Sequence, residues 1–321
     1  MFQARDFILT EEGLAFAVTL GGVEDGRIIA CLRYIRSSDG RWQKVNTRQA
    51  EMVLNSLYPH YLHYSQRRDV VLQAVPVEAV TACLQPRPRL QELLKHPAPS
   101  LLIARLQALI ARLISLGLTS EQLGVTGSLL VGQYTESSDL DLVVYGREAF
   151  ARARRAVRQG IALGYFEELT LPLWQESYRR RGCALSLAEY LWHERRKFNK
   201  GAVGGIKLDL LLVEEGNGAE LKSWRKLGHT TLRAKVLNDF YAFSTPACYW
   251  LDHPNIGYAL SFSATYTGQA KTGEWVEISG YLEQADDGEQ RIIVGSSREA
   301  PGEYIKVIKP VERMRHAEQI F

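Results

Sequence analysis

The sequence has little cysteine: Cys31, Cys83, Cys183 and Cys248 are the 4 in 321 residues, and no Cys-x-x-Cys pair occurs. That spacing argues against a zinc site or a disulfide framework and predicts reduced, partly buried thiols. Long apolar runs are missing too, none approaching the ~18 residues that a membrane span requires. The opening stretch, MFQARDFILTEEGL, carries charge at Arg5, Asp6, Glu11 and Glu12 and lacks the apolar run of a signal peptide. A cytoplasmic location without a membrane partner is therefore expected. No Walker sequence, HxxxH metal motif or Ser/His/Asp order recommends another chemistry.

A large net charge is also absent, at +3 for the whole chain. The charge is unevenly spread, however. Residues 147–200 hold twelve Lys or Arg against six Asp or Glu, a local excess of positive charge where phosphate-bearing substrates could approach.

What is present centres on residues 123–146, LGVTGSLLVGQYTESSDLDLVVYG. The pattern predicts a strand, a tight Gly127-Ser128 turn, a short helix, a polar loop and a second strand. Residues i and i+2 of a strand share a face, so Asp139 and Asp141 project together while Leu140 and Leu142 face the core. Two such carboxylates repel each other unless a cation stands between them. A hard divalent ion, which takes oxygen ligands from carboxylates and substrate phosphates, suits that arrangement. The alternative is an edge strand whose acids simply face water.

A second element is Gly204-Gly205-Ile206-Lys207-Leu208-Asp209-Leu210-Leu211-Leu212-Val213, an apolar strand with one acid at its centre. Such an acid is costly unless it is paired or binds metal. Lys207, two residues before Asp209, shares its face and is a candidate partner.

Gly127-Ser128, Gly132 and Ser138-Asp139-Leu140-Asp141 together resemble the signature of the polymerase-β-like nucleotidyltransferase superfamily. The resemblance covers roughly residues 100–216 and departs at Val131, where many small members carry Arg. It implies a metal-dependent nucleotidyltransferase that moves NMP from an NTP, ATP or CTP first, to a hydroxyl acceptor with release of pyrophosphate. It further implies that Asp139, Asp141 and Asp209 are catalytic and hold two Mg²⁺ ions, with Mn²⁺ as a substitute. Gly127, Ser128 and Gly132 would bind the nucleotide. RNA is the favoured acceptor, with a protein side chain or a small molecule left open. A catalytically silent nucleic-acid-binding protein is the alternative, and an adaptor that binds protein through its flanks is a third reading. Oligomeric state is left open.

The expected architecture is α+β and multidomain. Residues 1–96 form an N-terminal α+β domain, 97–218 a nucleotidyltransferase-type α/β core and 219–321 a small antiparallel β-barrel similar to an OB-fold. In the first domain, Thr47 is a candidate helix cap and 77–84 reads as a short helix. His60 and His63 among Tyr58, Tyr61 and Tyr64 could bind a ligand or form a packed aromatic corner. Ser100 caps the next predicted helix. After the core, 221–228 reads as a linker helix, followed by five strands over 230–237, 258–266, 274–283, 290–295 and 303–308. Basic clusters on predicted helices make Arg179, Arg180, Arg181, Arg195, Arg196, Lys197 and also Lys207 candidates for phosphate or RNA contact. Trp174, Tyr178, Tyr190 and Trp192 are either a stacking surface or core. Loop 266–271 and segment 296–299 are polar and could touch nucleic acid.

Overall fold

Alternating apolar residues build the first sheet, whose two faces bury different neighbours. A computed structural model describes residues 2–214, 222–296 and 300–308. The chain mixes helices and sheets in the α+β manner and divides into two units. The first takes in residues 1–66, 70–170 and 198–221, and the second 67–69, 171–197 and 222–321.

In the first unit, β1 (Phe7–Leu9), β2 (Leu14–Val18), β3 (Arg27–Arg36), β4 (Trp42–Lys44), β5 (Leu62–Ser65), β6 (Val70–Pro76) and β7 (Ala82–Leu84) form one sheet. Its order is β5-β6-β3-β2-β1-β7, with β4 paired to β3. Ile8, Leu14, Phe16, Ile28 and Leu32 on one face pack with Ala50 and Leu54 of helix α1 (Thr47–Leu57). Asn46 caps that helix rather than Thr47, in a reciprocal pair with Gln49. The opposite face carries Phe7, Ala15 and Tyr34.

A one-residue bulge decides where Tyr34 belongs. Ala15 pairs with Tyr34 and Phe16 with Leu32, so Arg33 is the extra residue on β3. Without it, Tyr34 would follow the even-numbered Ile28, Ala30 and Leu32 into the α1 core. With it, the side chain turns to the other face, the re-aiming that bulges produce. The helix expected over 77–84 is instead a 3-10 turn at Val77–Ala79 and strand β7, because β1 offers a free edge that pairs Phe7 with Leu84. Around Tyr61 the aromatic cluster is a packed corner: the ring is buried against Phe16 and His60, and its hydroxyl donates to Glu12.

Helices α2 (Pro86–Lys95) and α3 (Leu101–Ser115) follow, the second capped by Ser100 as expected. Strand β8 (Leu123–Val125), helix α4 (Ser128–Val131), β9 (Leu140–Tyr145), α5 (Arg147–Ala162), β10 (Lys200–Val203) and β11 (Ile206–Val213) complete the unit. The second sheet has the order β10-β11-β9-β8. Its central pair, β11 and β9, is parallel, and the two outer pairings are antiparallel. Helix α5 packs against both central strands and buries Phe150, Ala153 and Val157. Arg147 at its start pairs with Glu214, just past the end of β11.

The second unit holds helices α6 (Leu171–Arg181) and α7 (Leu187–Arg195) and strands β12 (Trp224–Asn238), β13 (Ala247–Asp252), β14 (Tyr258–Ser261), β15 (Trp275–Ala285), β16 (Gln290–Val294) and β17 (Tyr304–Val307). The pairings run β12-β13-β14-β16-β15, and β15 pairs again with β12. Among the described residues of this unit only β14 and β16 pair in parallel; β17 adds to β15.

Three expectations change here. Residues 224–228 belong to strand β12, not to a linker helix, because β15 pairs with them from Trp224 onward; 215–221 lie outside the described residues. Strand β13 is additional to the five expected strands, and β14 stops at Ser261 instead of reaching Tyr266. The units also cut the chain differently from the three expected domains. Residues 171–197 group with the C-terminal sheet, since His193 and Lys197 are bonded to it, and the first two expected domains share one unit. No helix among the described residues is long and apolar enough to cross a membrane.

Candidate active site

Strand pairing brings the acids together. In the parallel ladder, Asp141 of β9 lies opposite Asp209 of β11, with Leu140 opposite Leu208 and Leu142 opposite Leu210. Alternation sends those four leucines, all essentially inaccessible, to one face and the two acids to the other. Asp139, one residue before β9, is presented by a polar turn. The Thr135 amide donates to Ser138 Oγ at 2.9 Å, and the Ser138 amide returns to the Thr135 carbonyl at 3.0 Å. Within that turn, Glu136 reaches back to accept the Leu102 amide at the start of α3.

The Gly127-Ser128 turn closes on the same place. The Thr126 amide donates to the Asp141 carbonyl at 3.0 Å, which continues the β8–β9 ladder up to the glycine. Gly127 has φ +64°, and a Cβ there would lie 2.5 Å from Asp141 Oδ2. Only glycine allows the backbone to press against that carboxylate. Ser128 opens α4 with its side chain partly exposed, and Gly132 ends the helix in the left-handed conformation at φ +75°. The sequence motif is thus one local structure with the acids at its mouth. Val131, where the chain departs from the motif, is 9% exposed and packs with Leu130 against Phe7, Ala15 and Tyr34 of the first sheet. The hydroxyl of Thr126 donates to the Arg5 carbonyl at 3.0 Å and ties the same turn to the segment leading into that sheet.

Lys207 is the cation among the acids. Its Nζ lies 2.8 Å from Asp209 Oδ2 and 3.4 Å from Asp139 Oδ2, and its side chain is only 8% exposed. Asp209 is 13% exposed and Asp139 35%, so the cluster opens to solvent on the Asp139 side. Asp141 keeps an edge to solvent but is surrounded by protein on most sides. Burial first and then the charge of Asp209 push its carboxyl up to about 7; Lys207 pulls it down, Asp139 adds to the rise and Lys44 lowers it. The sequence offered both a third carboxylate beside the pair and an ion pair from Lys207 to Asp209, and the geometry contains both.

The donor chemistry suits a hard cation, with three carboxylates and no soft ligand. Among the described residues, however, no three His, Cys, Asp or Glu side chains stand close enough together to hold a metal ion as placed. Lys207 supplies the countercharge in this arrangement.

The basic residues separate into two kinds. Arg179, Arg180 and Arg195 are exposed on α6 and α7, and Arg181 is half-buried. Lys197 is 2% exposed and donates to Glu194 and to the Thr265 carbonyl. Arg196 lies 4.2 Å from the Trp192 ring centre and pairs with Glu274. These last two hold the second unit together and are not placed for phosphate contact. Trp174 and Tyr190 are buried and pack edge to face, so they are core; Tyr178 tilts against Tyr190. Of the polar segment 296–299, residues 297–299 lie outside the described residues. Sequence reasoning missed the first sheet's approach to the site through Tyr34 and Lys44, for which no local signal exists.

No family model matches the chain, and no solved structure does. A curated relative, Uncharacterized protein MJ1086 of Methanocaldococcus jannaschii, is 32% identical over 335 residues, covering 95% of this chain and 98% of the relative. With both chains matched almost end to end at that identity, this chain belongs to the same family as the archaeal protein.

Proposed function

We propose that the protein is a nucleotidyltransferase of the polymerase-β-like kind, with an OB-like barrel in its second unit. One observation carries the reading: Asp141 and Asp209 oppose each other in register on parallel strands, with Asp139 beside them and the Gly127 backbone against Asp141. A structural ion pair does not need three acids or a glycine pressed against one of them. The order of strand pairing in the second unit supports the OB-like part of the proposal.

In this reading Asp139, Asp141 and Asp209 would draw together to hold Mg²⁺, or Mn²⁺ in its place, which would supply positive charge to offset that of the transferring phosphoryl group. The Ser128 hydroxyl and the backbone at Gly127 cradle the terminal phosphates of the NTP. Asp209 takes the proton from the acceptor hydroxyl. The acceptor oxygen bonds to the α-phosphorus, the bond to the β-phosphate oxygen breaks, and pyrophosphate leaves. Lys207, which bonds Asp139 and Asp209, would have to compete with such an ion for them. RNA is the acceptor best matched by the exposed Arg179, Arg180 and Arg195.

That competition also favours a second reading. An acid cluster already balanced by Lys207 suits a protein that binds nucleic acid without turnover. Incubation with Mg²⁺, each α-labelled NTP and total cellular RNA, against an Asp139→Ala/Asp141→Ala control, separates the two. Label transferred by the wild type alone supports the enzyme. RNA binding without transfer to RNA, protein or small-molecule acceptors supports the silent form.

A further inference from the structure

The first sheet presents charge to the acid cluster from outside the motif. Tyr34 and Lys44 are directly paired across β3 and β4, so their side chains share a face at a Cβ separation of about 5 Å. That face packs on Leu130 and Val131 of α4, the helix that Ser128 begins. Trp42, two residues before Lys44, packs into the same cluster. The Arg33 bulge is what turns Tyr34 this way, and Lys44 follows through its pairing. Lys44 itself is exposed.

We propose that Lys44 is a phosphate-binding residue of the nucleotide site, supplied by the N-terminal sheet. The inference rests on the nucleotidyltransferase reading and assigns a role to a domain that the motif does not include. Through Tyr34 and Trp42, the hairpin that carries Lys44 rests on the helix that begins at Ser128. An exposed lysine on a fixed hairpin is well suited to a triphosphate: it is a strongly hydrated point charge with three donors on a flexible stem. Tyr34 is buried in the sheet contact and positions the hairpin.

The test is calorimetric binding of Mg²⁺-tripolyphosphate and of each Mg²⁺-NTP to the full chain. Lys44→Gln keeps the aliphatic stem and removes the charge; Lys44→Arg restores the charge, and Asp141→Asn disables the acid cluster. Loss of a charge-assisted contact should weaken tripolyphosphate and the preferred NTP about 10- to 100-fold in Lys44→Gln, with unchanged melting, and Lys44→Arg should recover most of it. The matching free nucleoside should bind equally to all Lys44 variants. If the wild type binds, Asp141→Asn does not, and Lys44→Gln binds like the wild type, the Lys44 assignment is wrong and the nucleotide reading stands. If the wild type binds neither tripolyphosphate nor any NTP, both are overturned.

Discussion

At the scale of single residues, Lys207 is the side chain on which the site turns. It is nearly buried and serves two carboxylates, so its removal leaves negative charge without its balance. Lys207→Met should cost about 3 kcal/mol, the range for breaking a buried ion pair from one side. If the acids are a metal site, Mg²⁺ should then raise the melting temperature of Lys207→Met by more than it raises that of the wild type. Equal or absent shifts in thermal melts with and without Mg²⁺ would remove the metal from the proposal. Asp141 and Asp209 were legible in the sequence because each interrupts an apolar strand, and Asp139 because it shares a two-residue period with Asp141. Lys207 was legible through the same two-residue period. Lys44 was not. Its approach depends on Arg33 being one residue too many, and a bulge leaves no mark in the period until the partner strand is known.

Among the elements, α7 shows how a helix with many charges can be structural. Its His193 is buried; Nε2 accepts the Val307 amide of β17 at 3.1 Å, and Nδ1 faces the Glu189 carbonyl at 2.7 Å. Accepting at Nε2 places the proton on Nδ1, the neutral form. Burial, the largest influence, lowers the imidazole to about 3. Between that value and the ~6.5 of the unfolded chain, the unfolded state binds a proton that the native state refuses. Stability around this contact is therefore full above about pH 6.5 and falls as the pH drops toward 3, by about 2 kcal/mol between pH 7 and pH 5. Hydrogen exchange at the Val307 amide, corrected for its intrinsic rate, should report that slope in the wild type and a flatter one in His193→Gln. A flat wild-type profile would mean that the imidazole titrates in the native state. Strand β12 gives the opposite lesson about legibility. Its first residues look helical locally, but β15 offers a long pairing partner, and tertiary hydrogen bonding outweighs local preference.

For the whole molecule, the unequal distribution of positive charge has to be divided before it predicts a partner. Lys197 and Arg196 belong to the packing of the second unit, and, of their partners, Thr265 and Glu274 are too distant in sequence to be foreseen. Arg179, Arg180 and Arg195 are exposed on the surface, Arg180 beside Glu176. If RNA is the acceptor, as proposed, replacing these three with alanine should weaken its binding and flatten the dependence on salt concentration, since each phosphate contact adds to that slope. Lys197→Met should lower thermal stability and leave the salt slope unchanged. Filter binding across a salt series checks both, and an altered slope in Lys197→Met would restore it as a contact.

The parallel pairing of β9 with β11 also fixes when the acid cluster can form. The strands that carry Asp141 and Asp209 are separated along the chain by α5, α6 and α7, yet neither acid has its neighbour until both strands are in place. A ribosome making this protein completes the Gly-Ser turn and the Asp pair well before it delivers the third acid and Lys207. The growing chain therefore carries an incomplete acid cluster through much of its synthesis, until β11 emerges.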